Sequence, residues 1–392
     1  MPHLYDPQRH ESLCDEPWNP SVVQTAIDAI VGEVLQAGND GLWPAHPLDS
    51  DASHPSRTLY EGAAGVLWGL SALASQGVIA DDARLTGWAC ALPELYASAP
   101  DTPSVVPSYF IGEAGVLLVA ARAEPRVEWL DRLFACVQAN IENPTLEILW
   151  GSPGTALSAV FAHELTGEER WRSLFLANVR ALTRSWRRHE QDQCDLWTQD
   201  LYGRKEPLLG AAHGFAGNVL AFFRGFPLLR EEARAELLQR AVATLAATAN
   251  VDGACANWPP GPRSASHLVQ WCHGAPGVIT SFARAPAHER LDALLVKGGE
   301  LVWQAGPLRK GASLCHGTAG NGAALLALFA RTGDARWLDR ARRFAMHSVR
   351  QSERSRARYG RRRYNLWTGD VGVAVYLAQC LSARSGLPSL HF

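Results

Sequence analysis

Hydrophobic positions along the chain follow two alternating patterns. In the first, apolar residues recur every three to four positions on an otherwise polar background. SVVQTAIDAIVGEVLQA, DDARLTGWACALPELYA, RVEWLDRLFACVQANI and EERWRSLFLANVRAL read this way, as do EEARAELLQRAVATLAATA, AHERLDALLVKGGELVWQ and DARWLDRARRFAMHSV. Such spacing predicts helices with one buried stripe, and acidic residues at several of their starts suit the helix dipole. The second pattern is apolar and small-residue rich on all sides, as in EGAAGVLWGL, IGEAGVLLVA and WGSPGTALSAV. It predicts helices buried all round. No alternating strand pattern competes with this reading, so an all-α chain is expected.

Each buried helix opens on Gly-x-x-Gly. The pairs are Gly62/Gly65, Gly112/Gly115, Gly151/Gly154, Gly214/Gly217, Gly274/Gly277, Gly317/Gly320 and Gly369/Gly372, at intervals of 50, 39, 63, 60, 43 and 52 residues. A single Gly-x-x-Gly is only a turn, but seven in series before the same kind of helix define a repeat. An open solenoid would carry polar terminal repeats, yet the first and last copies are as apolar as the middle ones. Closure into a ring removes the difficulty. The expected fold is therefore an α/α toroid, an (α/α)7 barrel of seven inner and seven outer helices, with residues 1–20 as an N-terminal arm and 21–392 as one toroid.

Composition agrees with this picture and narrows the functions. With 37 basic and 39 acidic residues, the net charge of −2 offers no bulk attraction to nucleic acid or an anionic membrane. No apolar run reaches the roughly 20 residues of a membrane span. The start, MPHLYDPQRHESLCDEP, has no basic region followed by an apolar one, and the eight cysteines are too scattered for a disulfide framework. A cytoplasmic, reduced protein is expected.

Three copies carry residues that packing does not need. Copy four is AAHGFAGN with His213, copy five WCHGAPG with Cys272 and His273, and copy six LCHGTAGN with Cys315 and His316. Ring closure sets these turns side by side, and two thiolates with up to three imidazoles suggest a zinc site. Two Cys with two His would close the tetrahedron. Two Cys with one His would leave a position for water or substrate.

These motifs, with the seven glycine turns, resemble the lanthionine synthetase C-like (LanC-like) family over residues 55–392. The resemblance implies zinc held by Cys272, Cys315 and His316, with His273 beside the site rather than on the metal. It also implies thioether formation, by addition of a thiol to a dehydroalanine or dehydrobutyrine residue. Thiol pKa values near 8.5 fall sharply at such a metal. The enolate that forms needs a proton, for which His213 is the natural donor and Glu147, in LEILWGSPG, a tuning or proton-moving partner. Lys310 resembles the lysine with which animal members contact glutathione. In the run RSRARYGRRRYNLW, Arg358 is the nearest candidate for a second cationic contact.

Leu268 stands where lanthipeptide cyclases tend to carry Arg, and LVQWCHGAPGVI is closer to the animal branch. The toroid uses nearly all of the chain, so an already dehydrated peptide or protein is the expected substrate, with glutathione the slightly favoured thiol. Intramolecular lanthionine cyclisation is the alternative within the same chemistry. An inverting glycosidase, using two of Glu61, Glu113, Glu147 and Asp370, would leave the Cys-His pairs unexplained. A non-catalytic peptide-binding toroid is the third class.

Overall fold

Helices of the two kinds alternate through a computed structural model of the chain, which describes residues 4–50 and 53–392. The outer ones are α1 (Pro20–Ala37), α3 (Ala83–Ser98), α5 (Val127–Ala139), α7 (Glu169–Ser185), α9 (Glu231–Ala247), α11 (Glu289–Ala305) and α13 (Ala335–Tyr359). The inner ones are α2 (Ala63–Ser75), α4 (Glu113–Ala123), α6 (Ser152–Thr166), α8 (Phe215–Arg224), α10 (Ala275–Phe282), α12 (Thr318–Thr332) and α14 (Asp370–Ser382). Helix α5 buries Trp129, Leu130, Leu133, Cys136 and Val137, a single stripe, whereas α12 is buried without a break from Thr318 to Leu328. Each inner helix packs on the next, and α14 packs back on α2, so the ring closes. No helix among the described residues is long and apolar enough to cross a membrane. All eight cysteines are free thiols.

Backbone contacts explain the repeated glycines. At the second glycine of every pair, a Cβ would lie 1.8–2.3 Å from the carbonyl oxygen of the residue six positions earlier, from Leu59 at Gly65 to Leu366 at Gly372. Only glycine lets the inner helix start so close to its own turn. Neighbouring turns are then joined through the residue two before the first glycine. Tyr60 N–H donates to the Phe110 carbonyl (2.9 Å), Cys272 N–H to Cys315 (3.1 Å) and Cys315 N–H to Trp367 (2.8 Å), while Ala212 N–H reaches Cys272 (3.4 Å). These hydrogen bonds join four of the seven pairs of neighbouring turns at the mouth of the barrel. They set the repeats in register.

The all-α toroid expected from the sequence is found, with the addition of three two-stranded antiparallel hairpins between outer helices and inner turns. They are β1–β2 (Arg187–His189, Cys194–Leu196), β3–β4 (Gln199–Leu201, Arg204–Glu206) and β5–β6 (Asn250–Asp252, Cys255–Asn257). Three-residue strands are too short to show a two-residue period. The longest repeat intervals, 63 and 60 residues, are where the extra chain sits. The segment bearing the first two hairpins fastens a helix end: Trp197 Nε1 donates to the Leu182 carbonyl near the end of α7, as Trp258 does to Leu245 near the end of α9. Both satisfy carbonyls that a helix terminus leaves without a partner.

Two glycine substitutions separate these roles. Gly320→Ala would place a Cβ 1.8 Å from the Leu314 carbonyl, and should cost about 1–3 kcal/mol or more. Exposed Gly32, inside α1, meets nothing within 4 Å, and Gly32→Ala should stabilise by about 0.5–1 kcal/mol. Urea denaturation of both variants checks the pair.

Candidate metal centre

Register carries chemistry to the mouth of the barrel. The residue two before the first glycine carries the backbone bonds between neighbouring turns in six of the seven repeats, and Cys272 and Cys315 occupy that position in consecutive turns. The next residue in six of the seven turns lines a cavity: Glu61, Ile111, Trp150, His213, His316 and Thr368. The sulfurs of Cys272 and Cys315 and a ring nitrogen of His316 lie within 4.8 Å of one another, the thiols buried and the imidazole half-buried. These three residues could hold a metal. His273 stands apart from that group; its ring lies 6.0 Å from that of His213, and its Nδ1 is buried without a hydrogen-bond partner.

Each sulfur also accepts a hydrogen bond from a neutral donor that the sequence reading missed. Tyr60 Oη donates to Cys315 Sγ (2.9 Å), and Gln270 Nε2 to Cys272 Sγ (2.8 Å). Burial raises the Tyr60 phenol well above its ordinary value, so it remains a donor. Donors aimed at both sulfurs suit thiolates, and two Cys with one His form a donor set known from zinc sites with an open fourth position. The residues fit a zinc ion. Without a metal, the hydrogen bond from Cys315, with His316, pulls Cys272 well below the thiol range, while burial pushes Cys315 well above it.

One turn away, His213 Nδ1 is 3.1 Å from Oε2 of the fully buried Glu147. The same carboxylate accepts from the backbone N–H of Leu149 (2.9 Å) and Trp150 (2.5 Å). Leu146, just before it, has a φ of +46°, an uncommon conformation for a branched residue. Its carbonyl accepts from Gln199 and Asn218, which hold the kink that aims Glu147. Burial by itself would lower the His213 pKa. The hydrogen bond and charge of Glu147, with the charge of Cys272, outweigh burial and raise it.

Two cavities open at this mouth. The larger, about 640 Å³, is lined by His213, Tyr60, Trp150 and Tyr202; the smaller, about 390 Å³, by His316, Lys310 and Arg363. Asp49, Ser50 and Glu61 line both and form the partition. Lys310 is exposed, and no ion pair of the described residues involves it. Arg358 lies elsewhere: α13 continues through it, and its guanidinium rests over the Tyr359 ring on the outer surface. The arginine of this run that faces the cleft is Arg363, bonded to Asp49 (2.6 Å) and Glu61 (3.1 Å). The carboxylates a glycosidase would need are otherwise engaged. Glu113 pairs with Arg132, and buried Asp370 accepts from Ser352 and the Arg363 N–H.

The sequence model of lanthionine synthetase C-like protein matches residues 53–389. The chain belongs to this family. It is 29% identical over 390 residues to "Glutathione S-transferase LANCL1" of Danio rerio, covering 93% of this chain and 90% of that protein. It is 28% identical over 214 residues to "LanC-like protein GCL1" of Arabidopsis thaliana, covering 53% and 47%. Among solved structures, nisin cyclase superposes with a TM-score of 0.62 at 15% identity, over 92% of this chain and 94% of that one. That likeness shows a shared fold, the α/α toroid of this LanC-like chain.

The Glu147–His213 pair has a measurable signature. Because the folded imidazole is raised, the pair stabilises the protein fully below the unfolded value of about 6.5, and the contribution fades as pH rises through the folded value. Glu147→Gln should lower the His213 titration midpoint followed by imidazole NMR and shrink that pH dependence. An unchanged midpoint would assign the elevation to other charges.

Proposed function

We propose that this chain is a zinc-dependent enzyme that adds a thiol, with glutathione favoured, to dehydroalanine or dehydrobutyrine residues of a peptide or protein, forming a thioether. The observation that carries this reading is the Cys272–Cys315–His316 donor set, with a hydrogen-bonded His213–Glu147 pair one turn away. The glutathione in the name of the Danio rerio relative supports the choice of thiol.

Cys272, Cys315 and His316 would hold the metal. When bound there, zinc supplies the Lewis acidity that shifts a substrate thiol toward thiolate at neutral pH. Tyr60 and Gln270 keep the two protein sulfurs oriented and partly neutralised. As the new C–S bond forms at the β-carbon, the π electrons of the double bond move to the α-carbon and its carbonyl. His213 then gives its Nε2 proton to the α-carbon, while its Nδ1–H stays on Glu147. The thiol proton, released earlier, restores the imidazolium through solvent. The sum is addition of one thiol with no leaving group. Lys310, exposed on the smaller cavity and without a carboxylate partner among the described residues, offers a cation to a carboxylate of the thiol.

Incubation with a dehydroalanine peptide, with and without glutathione, followed by mass spectrometry tests the reading. One glutathione mass gained per site is expected. Unchanged mass with loss of a peptide thiol would replace it by intramolecular cyclisation. Cys315→Ala should lose both zinc and addition while the helices stay folded. His213→Ala should keep zinc and lose about 10²–10⁴ of turnover, and a loss below about threefold would make that histidine structural.

Substitution of Lys310 separates thiols. Lys310→Ala should raise the KM for glutathione and leave a small neutral thiol nearly unchanged. A lost charge-assisted contact is worth about 1.5–3 kcal/mol, or roughly tenfold to a hundredfold in kcat/KM. Equal losses with both thiols would place Lys310 in the support of the fold.

A further inference from the structure

The β3–β4 hairpin has a feature its own folding does not require. Its two-residue loop is Tyr202-Gly203, both with positive φ (+52° and +76°), because Leu201 pairs directly with Arg204. Hairpins ordinarily give the first of these positions to Asn or Asp, since a bulky side chain disfavours it. Yet this tyrosine stands 73% exposed, with its hydroxyl accepting from Trp150 Nε1 (3.1 Å) and its ring edge-on to His213 at 6.3 Å between centroids. Backbone strain of this kind gathers where the side chain is needed.

Tyr202, Trp150 and His213 all line the larger cavity. Its volume of about 640 Å³ falls in the range that encloses a drug-sized ligand, which matches a short peptide segment rather than a folded domain. Asp49 and Glu61, shared by both cavities, are bonded to Arg363, and the arginine that lines the larger one, Arg57, is held by Asp101. The smaller cavity adds a cation with no carboxylate partner among the described residues, Lys310, beside His316. Both cavities meet at the Asp49–Glu61 partition.

We infer that the larger cavity is the acceptor subsite, where Tyr202 and Trp150 grip an uncharged or aromatic residue flanking the dehydroamino acid, while the thiol enters through the smaller cavity. This rests on the function proposed above, but its binding half can be measured without turnover. The informative variant is Tyr202→Asn, which removes the ring and supplies a residue that the turn accepts better, so the hairpin keeps its fold. Two probes are used: an uncharged peptide with dehydroalanine flanked by phenylalanine, and the same peptide with alanine in place of dehydroalanine.

Calorimetry should show that Tyr202→Asn weakens binding of the alanine peptide roughly three- to tenfold, the scale of a lost aromatic pair, with an unchanged or higher Tm. Tyr202→Phe should retain most of the affinity. In turnover, KM for the dehydroalanine peptide should rise by the same factor, with the KM for glutathione unchanged. If wild type binds the alanine peptide and Tyr202→Asn weakens it, the subsite stands even where no addition is detected. Failure of the wild type to bind that peptide, equal binding by Tyr202→Asn, or a matching rise in the glutathione KM overturns it.

Discussion

The close approach of seven backbone turns is the constraint on which the rest of this molecule depends. Each second glycine sits so near its own turn's carbonyl that any side chain would collide. With that distance secured, residues in neighbouring turns can exchange backbone hydrogen bonds around the mouth. Hydrophobic burial of the inner helices would tolerate small rotations and slips, because the effect is non-directional. Directional N–H to C=O contacts between neighbouring turns do not. Apolar packing therefore holds the barrel together, and the glycine turns decide which side chains face the opening.

Chemistry follows from that register. Two sulfurs meet because Cys272 and Cys315 hold equivalent places in adjacent turns, with the backbone N–H of one bonded to the carbonyl of the other. Tyr60 reaches the second sulfur from the same place in the first repeat, which is possible only in a closed ring. Its hydroxyl and the Gln270 amide replace hydration that burial has removed from the sulfurs, since an unpartnered thiolate in such surroundings would be costly. A site assembled this way needs no long excursions of chain. Its parts are single residues on a scaffold that exists for packing.

Much of this was legible in the sequence, and the misses share a cause. Glycine at fixed offsets before apolar helices marks the repeat because no other residue can make the turn. The same register predicted that the two Cys-His turns would be neighbours, and the family resemblance singled out His316 rather than His273 beside the sulfurs. Periodicity fails where burial is polar or elements are short. Helix α13 runs on to Tyr359 because its inner face there is Ser348, Gln351 and Ser352, buried but not apolar. Arg354 and Arg356 pin its outer side to Glu11 and Glu33. A hydrophobic count ends that helix at Val349, and so leaves Arg358 outside it, in chain leading to the seventh turn. Tyr60 was overlooked for a different reason: YEGAAG carries neither Cys nor His, yet Tyr60 occupies the position that Cys272 and Cys315 occupy in their own repeats.

In the proposed addition the thiol attacks the β-carbon and the proton goes to the α-carbon, so donor and thiol must approach the acceptor at different atoms. Position in the ring accomplishes the separation. The cysteines belong to the fifth and sixth turns, whereas His213 belongs to the fourth and is tied backward, through Nδ1, to Glu147 of the third. That tie engages Nδ1 and leaves the other ring nitrogen for the larger cavity that His213 lines. Glu147 can do this because two backbone N–H groups fix its carboxylate and the left-handed Leu146 sets the approach of the chain. On the far side of the opening, Arg363 neutralises Asp49 and Glu61 together and keeps the partition upright between the cavities. In the reading proposed here, proton donor and metal ligands thus come from different repeats of one mouth, with His213 and His316 lining its two adjoining cavities.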